Sequence, residues 1–284
     1  MKAILLFIFL ATGFTSEAQS TKDSIPFTLT ESGHILIKAK VEGIEGNFIF
    51  DTGAGHNLLF KSFAKKIGPK ETYNFFVGHR STGEAITLPI YTSTDLTIGG
   101  QNYQNQIYST IDLDFGNIDG LISLQPFKNT PVTIDYENKI LAIGVLSEAE
   151  KKRFIDIQVA DYAGKALDIF TNIQLNDTIT IQVLLDGGAG NNSFWINSKF
   201  LETLRLDKTK FEVKSKASEF DPSKSNLFYI GTVESIKTEN NLAKVKDPKT
   251  FFVEGLIYEG KTGIEWLGKK ISISLPDKKI YIIK

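Results

Sequence analysis

Two aspartates carry the most chemistry in this chain. Asp51 opens Asp51-Thr52-Gly53-Ala54-Gly55 and Asp186 opens Asp186-Gly187-Gly188-Ala189-Gly190, each directly after a run of apolar strand formers. Two carboxylates within hydrogen-bonding distance cannot both ionise cheaply, so such a pair holds one proton and titrates as a unit. One member then serves as base and the other as acid. The glycines permit a tight turn and a close backbone approach where a Cβ would clash, and Gly53 and Gly188 keep that feature in both loops.

The elements around the loops repeat as well. At the offset that separates the two aspartates, Val41 to Phe50 aligns with Asn176 to Leu185, a polar turn and then an apolar strand in both, and Asn57 falls on Asn192. Val132 to Ile143 and Ile271 to Ile282 each read as a hairpin with a polar turn. One long period seen twice predicts a duplicated domain, two lobes related by a pseudo-twofold axis. Short runs rich in Ile, Val, Phe, Thr and Tyr, separated by Gly, Asn and Asp clusters, predict an all-β chain. Helix is expected only at Ser62–Ile67, before Gly68, and at Asn197–Leu204, with Ser62 and Asn197 as N-caps. Ser147 to Arg153 is short and charged and marks the boundary between the repeats.

Met1-Lys2, the apolar stretch Ala3–Phe14 and Ser16-Glu17-Ala18 have the charge, length and small-residue pattern of a secretory signal, too short to span a bilayer. The expectation is a signal peptide over 1–18, an N-terminal lobe over 19–147 and a C-terminal lobe over 148–284. The mature protein would be soluble, exported to a periplasm or secreted. Apolar residues make up 42% of the chain, enough for a substantial core. Lys and Arg number 32 against 33 Asp and Glu, so no net field draws the protein to nucleic acid or anionic lipid. The absence of cysteine excludes disulfides and thiolate chemistry. His34, His56 and His79 are too few and too scattered for a metal site.

Phe48-Ile49-Phe50-Asp51-Thr52-Gly53-Ala54, followed later by Ile118-Asp119-Gly120-Leu121-Ile122, resembles the retropepsin-type aspartic protease pattern. Leu184-Leu185-Asp186-Gly187-Gly188-Ala189, followed by Thr262-Gly263-Ile264, resembles it more loosely. Together the halves take the one-chain arrangement of pepsin-like enzymes. The resemblance implies a bilobal double β-barrel whose Asp loops meet at the lobe interface, with Gly120 and Gly263 as core glycines behind them. It also implies an aspartic endopeptidase that needs no metal or cofactor: a water between the Asp51 and Asp186 carboxyls attacks the scissile carbonyl of an extended peptide. A monomer suffices. The alternative is an inactive module of the same fold that binds a peptide or protein.

Two departures from the family pattern stand out. Relatives lock the loops by a Thr or Ser hydroxyl from each side; Thr52 can serve, but Gly187 cannot, so one of the paired bonds should be missing. Ala54 and Ala189 replace hydroxyl residues that often donate to the carboxylates, which predicts a dyad with raised acidity constants and a near-neutral optimum. Phe75 to Ile86 reads as a substrate-covering flap with a tip at Gly78, His79, Arg80, Ser81, Thr82 and Gly83. Val213 to Asn226 holds the matching place and reads as a surface loop. His56 is a candidate pH sensor or substrate contact. Trp195 and Trp266 are expected in the core, and Asp119 in a turn.

Overall fold

The computed structural model describes residues 23–70, 72–218 and 223–283. The expected signal peptide lies outside them. Among the described residues, no helix is long and apolar enough to cross a membrane.

Strand burial follows the pleat. Ile35–Val41 and Leu167–Leu175 alternate between buried and more open positions along their whole length, the period-two pattern of a strand with one face on a core. Most of that core is one continuous apolar cluster running through both halves, with a smaller cluster of Phe228, Val253 and Leu256 beside it in the second. Phe48 packs edge-on against Phe63 (5.3 Å) and Phe50 against Phe127 (5.7 Å), all four fully buried. Truncating either strand phenylalanine to Ala would cost about 3–5 kcal/mol, the usual range for a buried aromatic.

Among the described residues, each half is a curled sheet, nine-stranded in the first and ten-stranded in the second, with an open hydrogen-bonded ladder. At the centre of each lie four strands in the same order. In the first lobe, Ile44–Phe50 runs parallel to Gly120–Ile122, which is antiparallel to Asn57–Phe60, which is parallel to Gln106–Ile111. In the second, Ile179–Leu185, Gly260–Thr262, Phe194–Asn197 and Lys249–Val253 repeat that series.

A third sheet of six strands ties the lobes together. The hairpins Val132–Asp135/Ile140–Ile143 and Lys270–Ser274/Lys279–Ile282 form as the sequence suggests, and they also pair with one another, Val132 on Ile273 and Ile134 on Ile271. Thr133 Oγ1 donates to its register partner, Ser272 Oγ, at 2.9 Å where the halves join. Asp23–Pro26 and Phe154–Asp156 close the two edges.

The helix starts differ from expectation. Lys61–Ile67 follows directly on the strand Asn57–Phe60, so Ser62 lies inside it and no side chain caps it; Gly68, at φ 63°, ends it. The second helix is one turn, Phe200–Thr203. Asn197 sits upstream, accepting from the Lys199 N–H (3.0 Å) and donating to the Leu256 carbonyl (2.7 Å). Val213 to Asn226 is not a plain surface loop, because Glu212–Ala217 and Ser225–Thr232 pair as a long hairpin.

Candidate functional site

Each aspartate is the first residue beyond its central strand and is held there by the same ladder bond. The Asp51 N–H donates to the Ile122 carbonyl (2.9 Å) and the Asp186 N–H to the Thr262 carbonyl (2.8 Å). The chain then turns, and the two turns face each other. A Cβ on Gly53 would fall on the Asp186 carboxyl, and one on Gly188 on the Asp51 carboxyl. Close approach of the opposite acid, and not a left-handed φ, is therefore what demands glycine at both places.

Thr52, fully buried, joins the loops with one hydroxyl: Oγ1 donates to the Leu185 carbonyl (2.8 Å) and accepts from the Gly187 N–H (2.8 Å). Gly187 has no hydroxyl to return, so the lock is one-sided as the sequence implied.

The two carboxyls are buried, each 8% exposed, but their surroundings differ. Asp51 Oδ1 accepts from both loop N–H groups, Gly53 (2.9 Å) and Gly188 (3.0 Å). Asp186 Oδ2 instead meets the Lys261 ammonium at 2.8 Å, with the two side chains only 11% and 12% exposed. The same ammonium lies 4.4 Å from the centre of the Trp195 ring. Burial, then the charge of Asp186 and a hydrogen bond shared with its carboxyl, push Asp51 up to about 7, against the pull of the two N–H groups. The direction agrees with the expectation drawn from Ala54 and Ala189, but burial is the larger cause.

A third carboxyl stands nearby. Asp168, on the strand Leu167–Leu175, is pushed up to about 6, first by burial and then by Asp186, while a hydrogen bond from Tyr162 opposes the shift. Tyr258 is raised by burial and by the charges of Asp168, Tyr162 and Asp186. Among the described residues, no three His, Asp or Glu side chains group closely enough to hold a metal ion.

The flap is a separate two-stranded hairpin, Phe75–His79 with Ala85–Pro89. Gly78 and His79 belong to its first strand; Arg80, Ser81, Thr82 and Gly83 form the tip, closed by Gly83 N–H to Arg80 C=O (2.8 Å) with Gly83 at φ 89°. The tip rests on the second lobe. The Ile257 N–H donates to the Ser81 carbonyl (2.9 Å), and Arg80 Nη1 reaches Ser218 Oγ (3.4 Å) at the end of the long hairpin.

His56 is buried, with Nε2 2.7 Å from Ser109 Oγ and its ring edge-on to Phe76 of the flap, and burial lowers its pKa. Asp119 is a turn residue, accepting from the Asn47 N–H (2.9 Å). Trp266 packs on Phe194, and Trp195 packs edge-on against Phe228 (5.2 Å) beside the apolar cluster of Phe228, Val253 and Leu256, both in the core roles expected, while the Trp195 ring also meets the Lys261 ammonium.

Two matches drawn from sequence shift in space. Leu121 pairs with Leu58, and Lys261 pairs with Trp195, so Gly120 corresponds to Gly260 and not to Gly263, whose counterpart is Ser123. By the same register Asn57 corresponds to Phe194, and Asn192 is an exposed turn residue, because the second Asp loop is two residues longer. This slippage hid Lys261. Read in the correct register, Leu121-Ile122-Ser123 becomes Lys261-Thr262-Gly263, a lysine in the middle of an otherwise apolar pattern. Asp168 was legible only as the second residue of a strongly alternating strand.

Residues 37–125 match the sequence model of a family described as aspartyl protease. No curated protein matches the chain. Among solved structures, that of edgp superposes with a TM-score of 0.54 at 8% identity, over 92% of this chain and 94% of its own. A retropepsin-like aspartic protease from Rickettsia conorii aligns at 20% identity and a TM-score of 0.34, over 43% of this chain and 92% of its own. The chain thus has an all-β, two-lobed, aspartic-protease-like fold along its length, and within its N-terminal lobe residues 37–125 are similar to the aspartyl protease family.

Proposed function

We propose that the chain is an aspartic endopeptidase, hydrolysing peptide bonds with a water activated between Asp51 and Asp186. The observation that carries this is the mutual seating of the two acids, each carboxyl packed where the opposite loop has glycine. A carboxyl raised to about 7 keeps its proton through mildly acidic pH and can polarise a carbonyl oxygen, while its ionised partner takes a proton from water. Attack gives a tetrahedral intermediate with no covalent adduct to the protein. The flap supplies a cover whose half-buried residues Phe76, Ile86 and Leu88 share one face. An extended peptide would enter beneath it once the bond between Ser81 and Ile257 opens, a loop motion of the kind that gates many enzymes. We further propose that the protein works as a monomer after export.

The alternative reading is a peptide-binding module of the same fold that does not cleave. Incubating the folded chain from Gln19 with a peptide library between about pH 4 and about pH 8 separates the two. New peptide termini support hydrolysis. Binding of library peptides without cleavage at any pH supports the module.

A further inference from the structure

Lys261 is the residue that breaks the twofold symmetry of the site. Its counterpart in the first lobe is Leu121: both lie on the central three-residue strand, Leu121 between Ile49 and Leu58, Lys261 between Leu184 and Trp195. A strand slot that holds an apolar side chain in one lobe holds a buried ammonium in the other. Its ion-pair partner among the described residues is Asp186 at 2.8 Å, and the Trp195 ring braces it from the side. At such depth a contact pair is weakly screened, and each partner strongly favours the charged form of the other.

We propose that Lys261 fixes where the single proton of the pair resides: its ammonium keeps Asp186 ionised, as the base, and leaves the proton on Asp51, as the acid. The hydrogen bonds fit this assignment. Both loop N–H groups occupy Asp51 Oδ1, so a proton on Asp51 sits on Oδ2. The other titratable groups around the pair are Asp168 and Tyr162, joined by their own hydrogen bond, and Tyr258. Asp168 adds negative charge beside Asp186 and so opposes its ionisation, which makes the lysine the group that tips the balance. Lys261 is thus a positioning residue acting through Asp186.

The kinetic side of this proposal rests on the hydrolytic reading, whereas the placement of the proton does not. The test compares wild type with Lys261→Leu, which installs the residue found at the equivalent position 121, and with Lys261→Arg, which keeps the charge. In the leucine variant the acid limb of the kcat profile should move up by at least about one pH unit, with about tenfold less activity below the limb, while the arginine variant stays near wild type. Carbon-13 titration of the carboxyls, which needs no turnover, should show Asp186 ionised in wild type while Asp51 titrates, and both acids titrating together in Lys261→Leu. A carboxyl titration with Asp51 as the ionised member would overturn the proposal. So would a leucine variant with higher kcat at every pH and unmoved limbs, the mark of a lysine that merely obstructs the site. If wild type cleaves nothing, the hydrolytic reading fails by itself and the carboxyl titration still decides the proton.

Discussion

The two Asp loops share a backbone and differ in chemistry. Their ladder bonds agree within 0.1 Å, at 2.9 Å for Asp51 and 2.8 Å for Asp186, and each has a glycine where the opposite acid packs. Around that common frame the first loop has Thr52 and an apolar neighbour at Leu121, while the second has Gly187 and Lys261. The geometry that brings two acids together is retained in both halves, and the groups that tell the acids apart are not. A symmetric pair has nothing to tell its members apart, whereas this one sets Asp51 among N–H groups and Asp186 beside an ammonium.

The largest stability difference should come from removing each acid in turn. Asp186→Asn leaves the Lys261 ammonium buried without its carboxylate and should cost about 3–5 kcal/mol at neutral pH by chemical denaturation. Asp51→Asn removes one of two neighbouring acids and no ion pair, so it should cost far less. Equal losses would show that the lysine is not committed to Asp186.

The next effect is on pH dependence. The folded chain keeps a proton on Asp51 from the ordinary value of 3.8 up to about 7, where the unfolded chain has released it. Stability therefore falls as pH rises through that window and is flat with respect to this group above it. Asp168, raised to about 6, adds a slope of the same sign up to that pH. Wild type should be a few kcal/mol less stable at about pH 8 than at about pH 5, and Asp51→Asn should lose much of that difference. An unchanged slope in the variant would place the proton uptake elsewhere.

Smaller effects concern the one-sided lock. Thr52→Val strands the Leu185 carbonyl and the Gly187 N–H and should cost about 1–3 kcal/mol. Gly187→Thr should do the reverse. Gly187 is not in the left-handed region, and a Cβ there would stand 3.4 Å from Thr52 Oγ1 and 3.6 Å from Thr52 N, room enough for a returning hydroxyl. A gain of about 0.5–1.5 kcal/mol in thermal unfolding is expected. A loss would mean that Ile264, 3.5 Å away, crowds the new methyl.

Much of this was legible in the sequence because it is local. Alternation in Ile35–Val41, the turn glycines after each aspartate and the polar turns of the two closing hairpins each report on a few adjacent residues. The missing hydroxyl at Gly187 was legible for the same reason. What escaped depends on contacts across the chain. Nothing near Val132 or Ile273 says that they pair with each other, and nothing near Ser81 says that it meets Ile257. Lys261 was concealed by the motif match that set Gly263, and not Gly260, against Gly120. Asp168 looks like an ordinary strand residue until burial gives its carboxyl an unusual proton affinity.

The central claim is that Asp51 and Asp186 work as one acid and base pair on a peptide bond. The most direct measurement is cleavage of a library-derived peptide as a function of pH by wild type, Asp51→Asn and Asp186→Asn, with folding of each checked by circular dichroism. Wild-type cleavage should decline above about pH 7 as Asp51 loses its proton, and each variant should lose at least about a hundredfold in rate at every pH. Cleavage that survives either substitution, or a well-folded wild type that cuts nothing, would contradict the account.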